Sequence, residues 1–130
     1  MKAKDFFKLF FIVMGVYDVL LGSSFALWYK NIFAYLNIDL PNHPGYIFVP
    51  ALFIVTGGVG EFLIAKDPLR NVDLAIMRLL MKLSFALAVF YSYFKFGVPP
   101  IFMLISIASI IGVVVNTIFI RWANAQNAQA

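Results

Sequence analysis

Four stretches of the chain, residues 6–29, 46–65, 74–96 and 99–122, each hold about the twenty apolar residues that a membrane-crossing helix requires. No other feature narrows the possible folds as much. Hydrocarbon offers no water to the backbone, so every N–H and C=O must pair within its own segment or around a closed barrel. The runs lack the apolar/polar alternation of barrel strands, which leaves helices. The expected fold is therefore all-α, a four-transmembrane-helix bundle forming a single membrane domain over residues 1–130. An Ala/Asn/Gln-rich tail at 123–130 is expected to be mobile. Composition agrees: 63% of residues are hydrophobic and 12% charged, against roughly 45–50% and roughly 25% in soluble domains.

Composition also excludes several kinds of chemistry. The chain has no cysteine and one histidine, so thiolate metal sites, iron–sulfur clusters and bis-histidine haem ligation are ruled out. His43, between Pro41 and Pro44, reads as a solvated loop residue, and no metal and no cofactor are expected. Gly57, Gly58 and Gly60 lie inside a span, without the strand-to-helix context of a phosphate-binding loop. No nucleophile sits beside a base, so an autonomous enzyme is not expected. The formal net charge of +4 falls at the ends of apolar runs, not in a stripe interleaved with stacking aromatics, which argues against nucleic acid.

Those charges instead set a topology. Lys2, Lys4 and Lys8 precede the first span, Lys66, Arg70, Arg78 and Lys82 surround the second connection or enter the third span, and Arg121 closes the fourth. Only Lys30 and Lys95 fall on the other side. The positive-inside rule then makes both termini cytoplasmic, N-in and C-in, in a bacterial-type inner membrane. Met1 to Lys8 followed by an apolar stretch also resembles a signal peptide with Ser24-Phe25-Ala26 as the cleavage site. Asp18 inside that stretch and the apolar continuation to Trp28 favour an uncleaved first span. Between Lys30 and Leu40, the spacing of Ile32, Phe33, Leu36 and Leu40 predicts a short amphipathic interfacial segment between helices 1 and 2. It reads as a cap over that end of the bundle. Asp67-Pro68 reads as a helix start, with the carboxylate capping free N–H groups, and Arg70 is placed to contact anionic lipid headgroups.

Four polar groups interrupt the spans, one in each: Asp18, Glu61, Lys82 and Asn116. A central charge facing lipid costs roughly 2.5–3.5 kcal/mol on insertion scales, so these groups are expected to face inward. At 1.5 Å per residue, Glu61 lies about 6 Å, Asn116 about 8 Å, Lys82 about 12 Å and Asp18 about 18 Å from the cytoplasmic ends of their spans. Helical spacing puts Phe11, Gly15, Asp18, Gly22 and Phe25 on one face. It does the same for Phe53, Gly57, Gly60, Glu61 and Ile64, for Arg78, Lys82, Ala86, Val89 and Tyr93, and for Phe102, Ile105, Ser109, Gly112 and Asn116. A buried polar cluster of Asp18, Glu61, Lys82 and Asn116 follows, with Tyr17 and Arg78 as further partners. Its simplest role is a satisfied ion-pair network that fixes helix register; a protonatable acid in a functional cavity is the alternative.

The segment Ala65-Lys66-Asp67-Pro68-Leu69-Arg70-Asn71, then Lys82, then Val115-Asn116-Thr117-Ile118, resembles a group of small bacterial membrane proteins similar to the DoxX-like four-helix families. The likeness spans roughly residues 10 to 122. It implies a four-helix bundle, and, because some DoxX-related proteins are membrane subunits of quinone-linked oxidoreductases, a quinone or redox partner.

The functional expectation is a small polytopic inner-membrane protein acting as a non-enzymatic subunit or scaffold. Its partners would be the lipid bilayer and another membrane protein or a second copy of itself. A small-molecule or proton-coupled transporter and a quinone-linked accessory subunit are the alternatives. The 15 Phe and 6 Tyr could line a site for a hydrophobic small molecule, although aromatic side chains also fill ordinary lipid-facing surface.

Overall fold

The computed structural model describes residues 2–129, and every regular element among them is an α-helix. The helices are α1 (Ala3–Tyr35), α2 (Gly45–Lys66), α3 (Val72–Phe96) and α4 (Pro100–Asn127). Each is long and apolar enough to cross a membrane, which fits a small multi-pass membrane protein. The chain divides into two compact units, residues 1–66 and 67–130, and each is a helical hairpin.

In the first hairpin, glycine sets how closely α1 and α2 approach. A β-carbon built on Gly58 would lie 2.8 Å from the Gly15 carbonyl oxygen, and one built on Gly22 would lie 2.5 Å from the Ala51 carbonyl oxygen. Backbone therefore meets backbone at two levels of the same seam, an approach that any side chain at these positions would block. Gly15 lies between Gly58 and the Phe62 ring, and Gly22 lies against Ala51 and Val55. These contacts fix an antiparallel register in which each step along α1 matches a step back along α2.

α1 runs 33 residues, about 50 Å at 1.5 Å per residue and longer than the roughly 30 Å hydrocarbon layer. It bends where the apolar run was expected to end, since Trp28 departs from helical geometry with φ −126° and ψ 20°. The segment expected to be a separate amphipathic piece thus begins as a continuation of α1 past this kink. Of its four apolar positions, Phe33 is buried, Ile32 and Leu36 are partly exposed and Leu40 is exposed. Edge-to-face ring contacts join Phe33 to Phe25 and Tyr29, and Tyr29 to Phe48 at the start of α2. The helix stops at Asn37, which takes the left-handed conformation with φ 55°. The Asn37 N–H bonds the Ala34 carbonyl and the Ile38 N–H bonds the Phe33 carbonyl. This paired closure satisfies carbonyls that the helix end would otherwise leave open.

The second hairpin follows a turn that differs from the expected helix start. Asp67 does not cap α3. Instead, the Asn71 backbone N–H and its Nδ2 both donate to the Asp67 carbonyl, at 3.1 and 3.0 Å. Pro68 is buried in that turn, and the helix begins only at Val72. α3 ends at Gly97, whose φ of 70° suits a residue without a β-carbon. α4 continues past residue 122, and Ala123 is fully buried. Asn127 Nδ2 donates to the Leu69 carbonyl at 3.0 Å, so the expected mobile stretch is helical through Asn127 and tied to the turn at the head of α3.

Enlarging the glycines of the first seam should separate its helices. Gly58→Ala is expected to lower stability by about 1–3 kcal/mol, the usual cost of overpacking a tight contact, as read from thermal unfolding in detergent. Val59→Ala, on the exposed face one residue away, should change stability by no more than about 0.5 kcal/mol.

Candidate functional site

Every ionisable or amide residue expected to turn inward is buried. Glu61 and Asn116 are fully enclosed, and Asp18, Arg78 and Lys82 are at most 6% exposed. Tyr17 is only partly buried and Arg70 is exposed. The expected faces hold with exceptions at their ends. Phe11, Gly15, Asp18 and Gly22 are buried, as are Gly57, Gly60, Glu61 and Ile64. Phe53, assigned to the same face as Glu61, is 62% exposed. Tyr93 is exposed, while Phe25, Val89, Phe102 and Ser109 are intermediate. A large aromatic ring fits a lipid-facing surface as readily as an interior, so spacing alone misplaces it.

In the first hairpin, the buried ionisable groups are both acids. Register puts Glu61 level with about Met14, which places it roughly one helical turn, about 5 Å, from Asp18 along the hairpin axis. Gly15 and Gly58 lie between them in sequence register, so one of the two close backbone approaches falls between the turns that carry the two acids.

In the second hairpin, the buried ionisable groups are both bases. Lys82 lies along α4 at Gly112: a β-carbon there would sit 2.7 Å from Lys82 Cδ and 3.2 Å from Cε. The absence of a side chain at Gly112 is thus what admits the lysine stem. One turn further along α4, Asn116 Nδ2 donates to the Gly112 carbonyl at 2.9 Å. The same antiparallel register brings Arg78, one turn before Lys82, level with about Asn116. Arg78 Nη1 also approaches the Met81 sulfur at 3.6 Å. Asp18, Glu61, Arg78 and Lys82 are all engaged in interactions, and none of them is free.

Two buried oxygens on α4, Asn116 Oδ1 and Ser106 Oγ, have no hydrogen-bond partner among the described residues. Ser106 is the residue that sequence reasoning missed. Its hydroxyl differs from those of Thr56, Ser109 and Thr117, each of which donates to the carbonyl four residues earlier. Such back-bonding makes a serine in an apolar helix unremarkable in sequence, and only its full burial distinguishes Ser106. Among the described residues, no group of three His, Cys, Asp or Glu side chains is arranged to hold a metal ion.

No protein-family model, curated protein or solved structure matches this chain. The functional reading therefore rests on the residues and their placement.

Because the Ser106 hydroxyl is buried without a partner, Ser106→Ala should leave stability unchanged or raise it by up to about 1 kcal/mol. A loss greater than that in a detergent melt would show that the hydroxyl meets a partner. Gly112→Val is expected to evict the Lys82 stem and to cost about 1–3 kcal/mol.

Proposed function

We propose that this chain is a non-enzymatic membrane subunit or scaffold whose hairpins are matched by buried charge. The observation that supports this reading is the segregation of sign. The hairpin of α1 and α2 buries Asp18 and Glu61, and the hairpin of α3 and α4 buries Arg78 and Lys82. Two acids against two bases sum to zero. A neutral set is the form in which ionisable groups survive in a low-dielectric interior, because each charge there requires a counter-charge. The match can be met within one chain or between two copies. Asn116 then serves as an auxiliary polar group at the level of Arg78, and Tyr17 as a half-buried neighbour of Asp18.

Such a network selects which helices may meet and in what register, which is the work of a scaffold. In this reading, the protein lies in a bacterial-type inner membrane with both termini on the cytoplasmic side. What supports that orientation is the exposure of Lys2, Lys4, Lys8, Lys66, Arg70 and Arg121 at the helix ends nearest the termini. Its partners are the bilayer, with Arg70 at the headgroups, and another membrane protein or a second copy. The kinship with DoxX-like proteins belongs to the same reading and rests on the motif residues around Pro68, Lys82 and Asn116.

Neutralising one member should expose the dependence on charge. Lys82→Met is expected to destabilise the protein by about 3–5 kcal/mol, because an acid then stays buried without compensation. Combining it with Glu61→Gln or Asp18→Asn should restore most of that loss for the acid it opposes. Thermal-unfolding cycles in detergent read the coupling, and equally harmless single and double changes would remove the charge match. In proteoliposomes under a pH gradient, the scaffold reading expects no proton flux above that of empty vesicles. Flux abolished by Asp18→Asn would replace it with a transporter.

A further inference from the structure

One end of the first hairpin carries a charge pattern that the buried network does not use. Where α1 begins and α2 ends, Lys4, Lys8 and Lys66 are all exposed. Lys8 lies seven residues, two helical turns, before Gly15, and Lys4 lies one turn further out. Lys66 follows Phe62 by one turn, and Phe62 is the ring that packs on Gly15. Helical spacing therefore puts all three lysines on the line along which α1 and α2 touch. Register makes Lys8 and Lys66 level with each other, since a step of seven residues back from Gly15 matches the same step forward from between Gly58 and Phe62. Lys8 and Lys66 thus sit at the same level at the mouth of one seam, with Lys4 one turn beyond. Asp5, exposed on the first turn of α1, and Asp67, the exposed residue that follows Lys66, leave this group net positive, three bases against two acids.

The surface below that mouth is apolar and equally specific. Ile12 and Val16 flank the seam on α1, on the side opposite Asp18; Leu63 and Val59 flank it on α2, on the side opposite Glu61. Ile12 is level with about Leu63 and Val16 with about Val59. All four are exposed, as is Phe62 between them. Together with the Phe62 ring that packs on Gly15, these side chains form an exposed apolar face that starts below the lysines and follows the seam.

A phosphate-sized anion joined to long apolar chains matches this arrangement at both ends. We propose that the Lys4, Lys8 and Lys66 end of the α1–α2 seam is a binding site for an anionic phospholipid. The headgroup phosphate sits on Lys8 and Lys66, Lys4 screens it from the aqueous side, and one acyl chain lies along Ile12, Val16, Val59 and Leu63. Lysines near a membrane surface each add measurable attraction for acidic lipid. Here, the seam concentrates two of them on one phosphate.

The test is native mass spectrometry of the full-length protein released from nanodiscs that contain equal amounts of phosphatidylglycerol and phosphatidylcholine. The wild type is expected to retain phosphatidylglycerol with about tenfold preference. Lys8→Gln combined with Lys66→Gln should lower that preference to within about twofold, whereas Lys8→Arg combined with Lys66→Arg should keep it. Lys30→Gln removes a charge at the opposite end of the same hairpin and should leave the preference intact. All of these positions are exposed or partly exposed, and circular dichroism confirms that each variant is folded. Inorganic phosphate added in excess should not displace the lipid, because it lacks the acyl chain that lies along the apolar face. The proposal is overturned by a preference that survives the Gln pair, by one lost equally in the Lys30→Gln control, or by displacement with phosphate alone. None of these readouts depends on the buried charges, so failure here leaves the charge match standing.

Discussion

Hydrocarbon tolerates neither an open backbone group nor a lone charge, and this constraint governs nearly every choice in the chain. It makes helices obligatory across the spans. It also requires that an acid or base in the apolar interior be covered by packing as close as the backbone permits. Both hairpins meet that demand with glycine. In the first, Gly15, Gly22 and Gly58 let α1 and α2 touch at the main chain, and the two acids sit on turns adjoining that contact. In the second, Gly112 leaves room for the stem of Lys82, and Asn116 bonds the carbonyl of that same glycine. Polar groups and glycines thus belong to one device, in which the small residue creates the space and the polar residue occupies or borders it.

The buried charges are separated by sign between the hairpins, with Asp18 and Glu61 in the first and Arg78 and Lys82 in the second. An acid and a base on the same hairpin would satisfy each other locally and say nothing about any other helix. With acids on one hairpin and bases on the other, each half buries ionisable groups of one sign only, which is what motivates the scaffold proposal. The exposed lysines at one end of the first hairpin, Lys4, Lys8 and Lys66, lie outside this interior set.

Much of this was legible in the sequence because it follows from strong physical penalties. The four spans, the inward turn of Asp18, Glu61, Lys82 and Asn116, and the face holding Gly15 and Gly22 all come from the cost of exposing charge or backbone to lipid. Weaker preferences were harder to read. Phe53 and Tyr93 were assigned to inner faces by spacing, yet aromatic rings are at home against acyl chains, and both are exposed. Asp67-Pro68 has the composition of a helix start, but Asn71 captures the Asp67 carbonyl from two donors and delays the helix. The polar composition of residues 123–130 predicts a mobile tail, whereas a buried Ala123 and the bond from Asn127 to Leu69 keep the chain helical through Asn127. Those are tertiary contacts between residues far apart in the chain, and no local pattern announces them. Ser106 was overlooked for the opposite reason, since its local pattern is commonplace and only burial singles it out.

The nesting of Lys82 against Gly112 also carries a mechanical consequence. Turning α4 by one residue about its own axis would bring Ile111 or Val113 beneath the lysine methylenes, and neither leaves the vacancy that glycine provides. The side chain therefore behaves as a detent that resists rotation of α4 against α3 and leaves splaying as the softer motion of that helix pair. Any conformational cycle of this protein would have to proceed by tilting α3 and α4 or by lifting the lysine out of its notch.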